Sequence, residues 1–138
     1  MLIYRLVGAF LASFTFGIMF NVQKKELIFC GFTGFLGFLV LEFFQDFPVI
    51  NIFFATVVVT TTSIVLSKVR KTISTNYLTT GIIPYVPGAA LYRTMSHVVF
   101  TEWDYALEAG SQVFLTAIAI AFGVIIVVSC YNAIRSNN

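Results

Sequence analysis

Two prolines three residues apart, followed at once by a glycine, are the first feature of this sequence that could do chemistry. Pro84, Pro87 and Gly88 interrupt an apolar stretch, residues 77–100, that is otherwise long enough to cross a membrane. Each proline removes a backbone N–H and shifts the residue before it away from helical backbone angles. In a bilayer such a break is tolerated only where other helices or a water-filled cavity satisfy the freed backbone groups. The pattern therefore predicts two half-helices that meet near the middle of the membrane.

The ends of these two half-helices would carry opposite partial charges. A helix that begins at Pro87 directs the free N–H groups of Gly88 and Ala89 into the break, where they favour an anion. The preceding half-helix would end on unpaired carbonyls around Thr79 and Thr80, which favour an ammonium group or another cation. Broken helices of this kind form substrate sites in transporters, so the sequence predicts a binding site here. The alternative is a kinked helix that is packed for shape alone.

Two polar residues beyond the break, Arg93 and His97, share one helix face with Ala89 because they are spaced by four residues. By helical rise, Arg93 would lie about 7–8 Å from the break, at hydrocarbon depth. An arginine there costs about 2.5–3.5 kcal/mol on insertion scales, so it should face the bundle interior or a cavity. We therefore predict that Arg93 and His97 belong to the binding site. Alternatively, Arg93 reaches the outer headgroups or pairs with Glu102 or Asp104.

The remaining sequence offers no catalytic or metal-binding constellation. No nucleophile, base and orienting group occur together, so the chain is not expected to be an enzyme. Cys30 and Cys130 fall within apolar segments, and no Cys or His spacing suits a metal, so neither a metal nor a cofactor is expected. The glycines at every third residue from Gly31 to Gly37 are expected to allow close helix packing.

The composition explains where these residues lie. The chain has 138 residues, of which 59% are hydrophobic and 10% are charged, whereas soluble domains have about 25% charged residues. The sequence therefore predicts a single all-α integral membrane domain over residues 1–138, a bundle of about five transmembrane helices with the fourth broken at Pro84–Gly88. The net charge of +2 forms no basic patch, so nucleic acid is not an expected partner. The predicted spans are residues 3–20, 27–44, 49–67, 77–100 and 111–131.

The charged residues predict the orientation of the chain. With five crossings, six of the basic residues fall on one side and five of the six acidic residues lie in the loops on the opposite side. Since basic loops stay in the cytoplasm, the N-terminus is expected outside and the C-terminus inside, with Arg5 alone among basic residues at the outer end. A re-entrant segment at Pro84 is the alternative, and it would reverse the sides of the last acidic loop and the C-terminus. The basic set is Lys24, Lys25, Lys68, Arg70, Lys71 and Arg135, and the acidic set is Glu42, Asp46, Glu102, Asp104 and Glu108.

Three stretches of the chain resemble the small subunit of the bacterial threonine/serine exporter family. They are residues 16–22 (FGIMFNV), the glycine-bearing second span, and above all residues 81–92 (GIIPYVPGAALY), whose Pro-x-x-Pro-Gly motif is the most specific part. The likeness covers nearly the whole chain. It implies a bacterial inner-membrane protein, the C-terminal-type half of an exporter, that works with a larger membrane subunit of the same family. Self-association of the chain is left open.

The resemblance also implies a substrate, a small polar metabolite. Threonine or serine is the first expectation, a succinate-like dicarboxylate the second, and a non-transporting scaffold subunit is a third interpretation. The ends of the two half-helices match the carboxylate and ammonium of a zwitterion, whereas a dicarboxylate needs a further cation. Arg93 is the only Arg or Lys that the sequence places within reach of the break, and its guanidinium can bind a carboxylate bidentately.

Overall fold

The computed structural model describes residues 2–43 and 48–136, and in these two ranges the chain is helical apart from short connections. Its all-α architecture, with a break in the fourth helix at Pro84–Gly88, confirms the predicted fold class. Phe44, the predicted end of the second span, and the acidic Asp46 lie outside the described residues. The helices are α1 (Leu2–Met19), α2 (Leu27–Phe43), α3 (Pro48–Arg70), α4 (Ser74–Ile82), α5 (Gly88–Val99) and α6 (Trp103–Ser136), with a 3₁₀ turn (Ile83–Tyr85) between α4 and α5.

Three of these helices, α1, α3 and α6, are long and apolar enough to cross a membrane. Helix α2 is apolar but has 17 residues, and α4 and α5 are each shorter than the roughly 20 residues that a crossing needs. Helix α6 has 34 residues and is therefore about 51 Å long, well beyond a hydrocarbon core of about 30 Å. The predicted last span, residues 111–131, is thus part of a longer helix, because the residues before it pack on α5.

Helix α2 lies at the centre of the bundle, in contact with α1, α3 and α4. Its glycines face these neighbours closely: a Cβ at Gly31 would lie 2.7 Å from the Phe10 ring, and a Cβ at Gly37 would lie 3.1 Å from the Tyr85 ring. A Cβ at Gly34 would overlap the side chain of Ser13 in α1. The glycines of α2 therefore allow the close helix approach that their spacing predicted.

We expect Gly34→Ala to destabilise the chain by about 1–3 kcal/mol, the usual cost of overpacking a close helix contact. The added Cβ meets the Ser13 Cβ, which cannot move without shifting the backbone of α1. Gly8→Ala is the matched control, since a Cβ there meets nothing within 4 Å and alanine favours the helix. Thermal melting in detergent measures both variants, and equal melting temperatures would contradict this account of the α1–α2 contact.

The loop between α1 and α2 is tied to the rest of the bundle by a buried carboxylate. Glu26 is 5% exposed and accepts hydrogen bonds from Arg70 Nη2 at 2.9 Å, from Arg70 Nε at 3.1 Å, and from the Tyr77 hydroxyl at 2.6 Å. The Tyr77 hydroxyl also lies 2.8 Å from Thr72 Oγ1, and the Arg70 guanidinium lies 4.7 Å from the centre of the Phe29 ring. This Glu26 network fixes where α4 begins relative to α3.

The two ends of the bundle can be named by their charged residues. At one end, which we call the Glu26 end, the Glu26 network joins the last residue of α3 to the start of α4. The Lys68 ammonium lies 4.6 Å from the centre of the Tyr131 ring, so the C-terminal part of α6 belongs to this end. At the opposite end, which we call the Arg5 end, Arg5 near the start of α1 pairs with Glu42 near the end of α2. The two termini of the described chain therefore lie at opposite ends of the bundle.

Candidate functional site

The break between α4 and α5 is built by its two prolines. Pro84 lies within the 3₁₀ turn, and Pro87 directly precedes the first residue of α5. Pro84 has no N–H to donate to the carbonyl four residues earlier, so α-helical bonding gives way to the tighter turn. The turn closes when the Val86 N–H donates to the Ile83 carbonyl at 3.2 Å. The chain is thus interrupted at the position that the prolines predicted.

The break begins near the middle of the bundle and ends on the side of the Arg5 end. By helical rise, α4 and the 3₁₀ turn together cover about 20 Å from Ser74. That distance is about two thirds of a hydrocarbon core of about 30 Å. The break thus begins at about half of that thickness, where α4 ends, and its predicted mid-membrane position stays a prediction.

A cavity of about 340 Å³, which we call the Arg5 cavity, opens beside the break. At this cavity Arg5 Nη1 donates to Glu42 Oε1 at 2.6 Å, so a cation and an anion stand side by side. Asn51, which also lines this cavity, donates from Nδ2 to the Leu41 carbonyl at 2.6 Å. Asn51 Oδ1 and the Tyr85 hydroxyl are buried and have no hydrogen-bond partner among the described residues. The lining consists of Arg5, Phe38, Leu41, Glu42, Asn51, Ile52 and Tyr85.

Thr79 and Thr80 of α4 do not line the Arg5 cavity. Thr80 is fully buried, and its hydroxyl donates to the Asn76 carbonyl at 2.8 Å within its own helix. Thr79 is exposed, because successive residues of a helix point about 100° apart, and it lines a separate cavity toward the Glu26 end. The cation-binding role predicted for the carbonyls around these residues stays a prediction. The separate cavity is lined by Phe20, Thr75, Asn76 and Thr79.

Gly88 and Ala89 begin α5 on an open surface. The Gly88 N–H donates to the Val86 carbonyl at 2.7 Å, so it is not the free donor that the sequence predicted. Both residues are exposed, and a Cβ at Gly88 would meet nothing within 4 Å. An anion bound at this helix start would therefore not be enclosed by other residues near Gly88. The anion-binding role predicted for Gly88 and Ala89 stays a prediction.

Helix α5 leaves the central bundle and packs mainly on α6. The Thr94 methyl lies 3.4 Å from where a Cβ of Gly110 would be, and Leu115, five residues along α6, shares a groove with Val49. Because Val49 is the second residue of α3, α5 runs beside the part of α6 that extends past the start of α3. Arg93, next to Thr94, therefore lies past the start of α3, and its predicted depth in the membrane stays a prediction.

The two predicted polar residues of α5 do not meet at the break. Arg93 is exposed, on a helix without buried residues. His97 Nδ1 lies 2.6 Å from Glu102 Oε2, and its ring centre lies 5.6 Å from that of Tyr105. His97 thus joins the end of α5 to the start of α6, and neither residue lines the Arg5 cavity. A substrate-binding role for either residue stays a prediction, and Arg5 replaces Arg93 as the cation next to the break.

Sequence reasoning did not single out three residues of the Arg5 cavity: Arg5, Asn51 and Tyr85. Arg5 carried a signal, since it is the one basic residue that the charge pattern left at the outer end. Tyr85 carried a weaker signal, because it stands between the two prolines. Asn51 carried none, because a single amide near the start of an apolar helix has many structural explanations.

The Arg5 cavity is equipped for recognition. Its lining residues include an arginine, a glutamate, an asparagine and a tyrosine, and charged and polar residues of this kind can bind a small molecule that carries charge and hydrogen-bonding groups. Within residues 2–43 and 48–136, no three His, Cys, Asp or Glu side chains come together as a metal site would need. Binding and release of a polar solute is therefore the chemistry that this arrangement can perform.

Comparison with known protein families identifies a match to the chain. The family model described as Threonine/Serine exporter, ThrE, matches residues 5–130, a range that begins at Arg5 and includes the break. Neither the curated proteins nor the solved structures contain a match to the chain.

Proposed function

The chain belongs to the threonine/serine exporter family, and we propose that it is the small membrane subunit of a two-subunit exporter of threonine or serine. The observation that carries the proposal is the broken fourth helix beside the Arg5 cavity. Buried polar groups without partners destabilise a membrane bundle, so a chain that only held another subunit in place would have no use for them. A subunit that passes a polar solute does have a use for them.

The larger family subunit is proposed to cover the α5–α6 side of the chain. Helix α5 has no buried residue, and Tyr92 and Met95 on it are 76% and 67% exposed. Helix α6 contacts chiefly α3 and α5 and leaves Phe114 and Phe122 exposed. Lipid covers part of this surface, but α5 also exposes Arg93, which a protein partner accommodates better than hydrocarbon does. Self-association through the same surface is the alternative.

A zwitterionic substrate fits the cavity better than a dicarboxylate does. Arg5 and Glu42 place one positive and one negative charge beside the break, and this is the pair of charges that a zwitterion complements. Arg93, the residue predicted to bind that second carboxylate, is exposed on the far side of the break. These two observations support threonine or serine over succinate.

We further propose five crossings of a bacterial inner membrane, with the Glu26 end in the cytoplasm. A single cysteine at Lys71 is then expected to react with an impermeant maleimide only after permeabilisation, and one at Glu108 is expected to react in intact cells. Both positions are exposed, and the exposed Cys130 is first replaced by serine. Labelling of the Lys71→Cys variant in intact cells would overturn the orientation.

Export by bacterial cells that accumulate threonine tests the proposed function. Efflux of labelled L-threonine is measured in cells with this chain and its larger partner, with either subunit alone, and with neither. Efflux that requires both subunits is the expected result. If the partner alone exports threonine at the full rate and with unchanged specificity, this chain is a scaffold subunit. If no combination exports threonine but both subunits together export succinate, the dicarboxylate alternative replaces the proposal.

A further inference from the structure

We propose that a groove between α3 and α6 at the Glu26 end binds an anionic phospholipid, with the phosphate at Lys68 and an acyl chain along the groove. This groove, which we call the Lys68 groove, has a volume of about 350 Å³. The residues that line it belong to α3 and α6, and they differ from those of the Arg5 cavity at the other end of the bundle. Lipid binding there is therefore independent of the solute that the chain exports.

The first argument is that most of the wall of the Lys68 groove is apolar. Val65 and Ile134 line it and are 53% and 67% exposed, and the half-buried Ile64 and Val127 line it as well. Exposed apolar side chains that lie together mark a place where a protein contacts another molecule or a membrane. Both helices are long and apolar enough to cross a membrane, so a lipid chain is the expected occupant.

The second argument is the length of this apolar surface. Helix α3 rises about 10 Å from Thr61 to Lys68, which both line the groove. Ile126 also lines a second apolar groove between the same two helices, and that groove reaches Val49, about 28 Å along α3 from Lys68. One leaflet contributes about 15 Å of hydrocarbon, half of a core of about 30 Å. The two grooves together can therefore hold an acyl chain over the full depth of its leaflet.

The third argument is the position of Lys68 at one end of the groove. Its ammonium lies 4.6 Å from the centre of the Tyr131 ring, and both residues line the groove. Lysine side chains near the ends of membrane helices extend their ammonium groups to the headgroups, and tyrosine is enriched at the same level. Lys68 lies in the last turn of α3. A lipid phosphate can therefore approach this ammonium while an acyl chain of the same molecule lies in the groove.

The fourth argument is the charge around this position. Arg135 follows Tyr131 by four residues on α6, so their Cβ atoms are about 5–6 Å apart and a second cation is close to the groove. Within residues 2–43 and 48–136, no carboxylate forms an ion pair with Lys68 or Arg135, whereas Arg70 is held by Glu26. Basic residues between membrane helices at this level bind anionic headgroups. The Lys68 groove is therefore suited to an anionic phospholipid more than to a zwitterionic one.

Quenching of tryptophan fluorescence by brominated lipids tests the proposal. The purified full chain carries Tyr131→Trp as the reporter and Trp103→Phe, because Trp103 is its one natural tryptophan, and both changes keep an aromatic ring. Phosphatidylglycerol or phosphatidylcholine with brominated acyl chains is added at equal mole fraction to phosphatidylcholine nanodiscs that hold one chain each. We expect the anionic lipid to bind beside the reporter about fivefold more tightly or better, since one basic residue near the membrane surface contributes roughly that factor.

Lys68→Gln in the same reporter chain should remove most of this preference, and Lys68→Arg should keep it because the charge remains. Lys24→Gln is the matched control. Lys24 is an exposed lysine in the loop between α1 and α2, at the same end of the bundle, and its replacement removes the same charge. The control should prefer the anionic lipid as strongly as the unmodified reporter chain does.

Equal binding of the two lipids, or an unchanged preference in Lys68→Gln, would overturn the site. A preference that Lys24→Gln lowers as much as Lys68→Gln does would be due to the general charge of this end of the bundle, and it would overturn the site as well. If the larger subunit or a second copy of the chain covers the groove, neither brominated lipid quenches the reporter in the assembled protein, and the proposal is again overturned. None of these results alters the proposed exporter function, which efflux tests separately.

Discussion

Glu26→Gln is expected to destabilise the folded chain by about 1–3 kcal/mol, the range for leaving buried hydrogen-bonding groups without a suitable partner. Glutamine has one acceptor oxygen, whereas the carboxylate of Glu26 now accepts from two nitrogens of Arg70 and from the Tyr77 hydroxyl. The amide nitrogen would also face the guanidinium, donor against donor. Because the network fixes the start of α4, we expect the variant to loosen the α3–α4 contact first.

Thermal melting in detergent measures this effect, with Glu108→Gln as the matched control. Glu108 is exposed on α6, and its replacement also removes one carboxylate charge. A melting temperature of Glu26→Gln as high as that of the control would contradict a structural role for the network.

Glu26 is also expected to make the stability of the folded chain depend on pH. The Arg70 guanidinium, helped by the Tyr77 hydroxyl, holds the pKa of Glu26 below its ordinary value of 4.5 against the opposing effect of burial. The stabilisation from a lowered carboxyl pKa is present above the unfolded-state value and is lost as the pH falls through the folded-state value. The melting temperature of the unmodified chain should therefore fall below about pH 4.5, and that of Glu26→Gln should fall less over the same interval.

The broad architecture could be predicted from sequence because it follows from local chemistry. Apolar runs of about 20 residues specify membrane helices, and two prolines remove the backbone donors that a continuous fourth helix needs. The position of the break relative to the other helices could not be predicted in this way. It depends on where α4 starts, and the Glu26 network, which joins residues 44 and 51 positions apart in the chain, sets that start.

The candidate site was harder to predict from sequence, because it too depends on contacts between residues far apart in the chain. The residues that sequence reasoning favoured are neighbours in the chain, yet Thr79 and Thr80 point to different sides of α4. Arg93 lies on α5, which packs mainly on α6 and not on the central helices. The Arg5 cavity is assembled from four separate elements that only tertiary packing brings together. The sequence identified Arg5 as an exception to the charge pattern, but it did not predict the contact of Arg5 with Glu42.

Replacing Pro84 and Pro87 together with alanine is expected to abolish export while the subunit still assembles. Alanine restores the missing N–H groups and favours a continuous helix from α4 into α5. Three residues of a 3₁₀ turn rotate by about 120° each, against about 100° each in an α-helix, so a continuous helix turns Tyr85 by roughly 60°. That rotation removes the Tyr85 ring from Gly37 and takes Tyr85 out of the lining of the Arg5 cavity. Threonine efflux and threonine binding should both fall by tenfold or more.

The double variant Ile83→Ala with Val86→Ala is the control, because it truncates two neighbours of the prolines and keeps both prolines in place. Copurification with the larger subunit, measured on the same samples, distinguishes loss of transport from loss of assembly. Export at the normal rate by the proline double variant would show that transport needs neither the break nor the present position of Tyr85, and the segment would then be a packing kink. Loss of export with unchanged threonine binding would instead assign the break to the movement of the solute and leave its recognition to the rest of the Arg5 cavity.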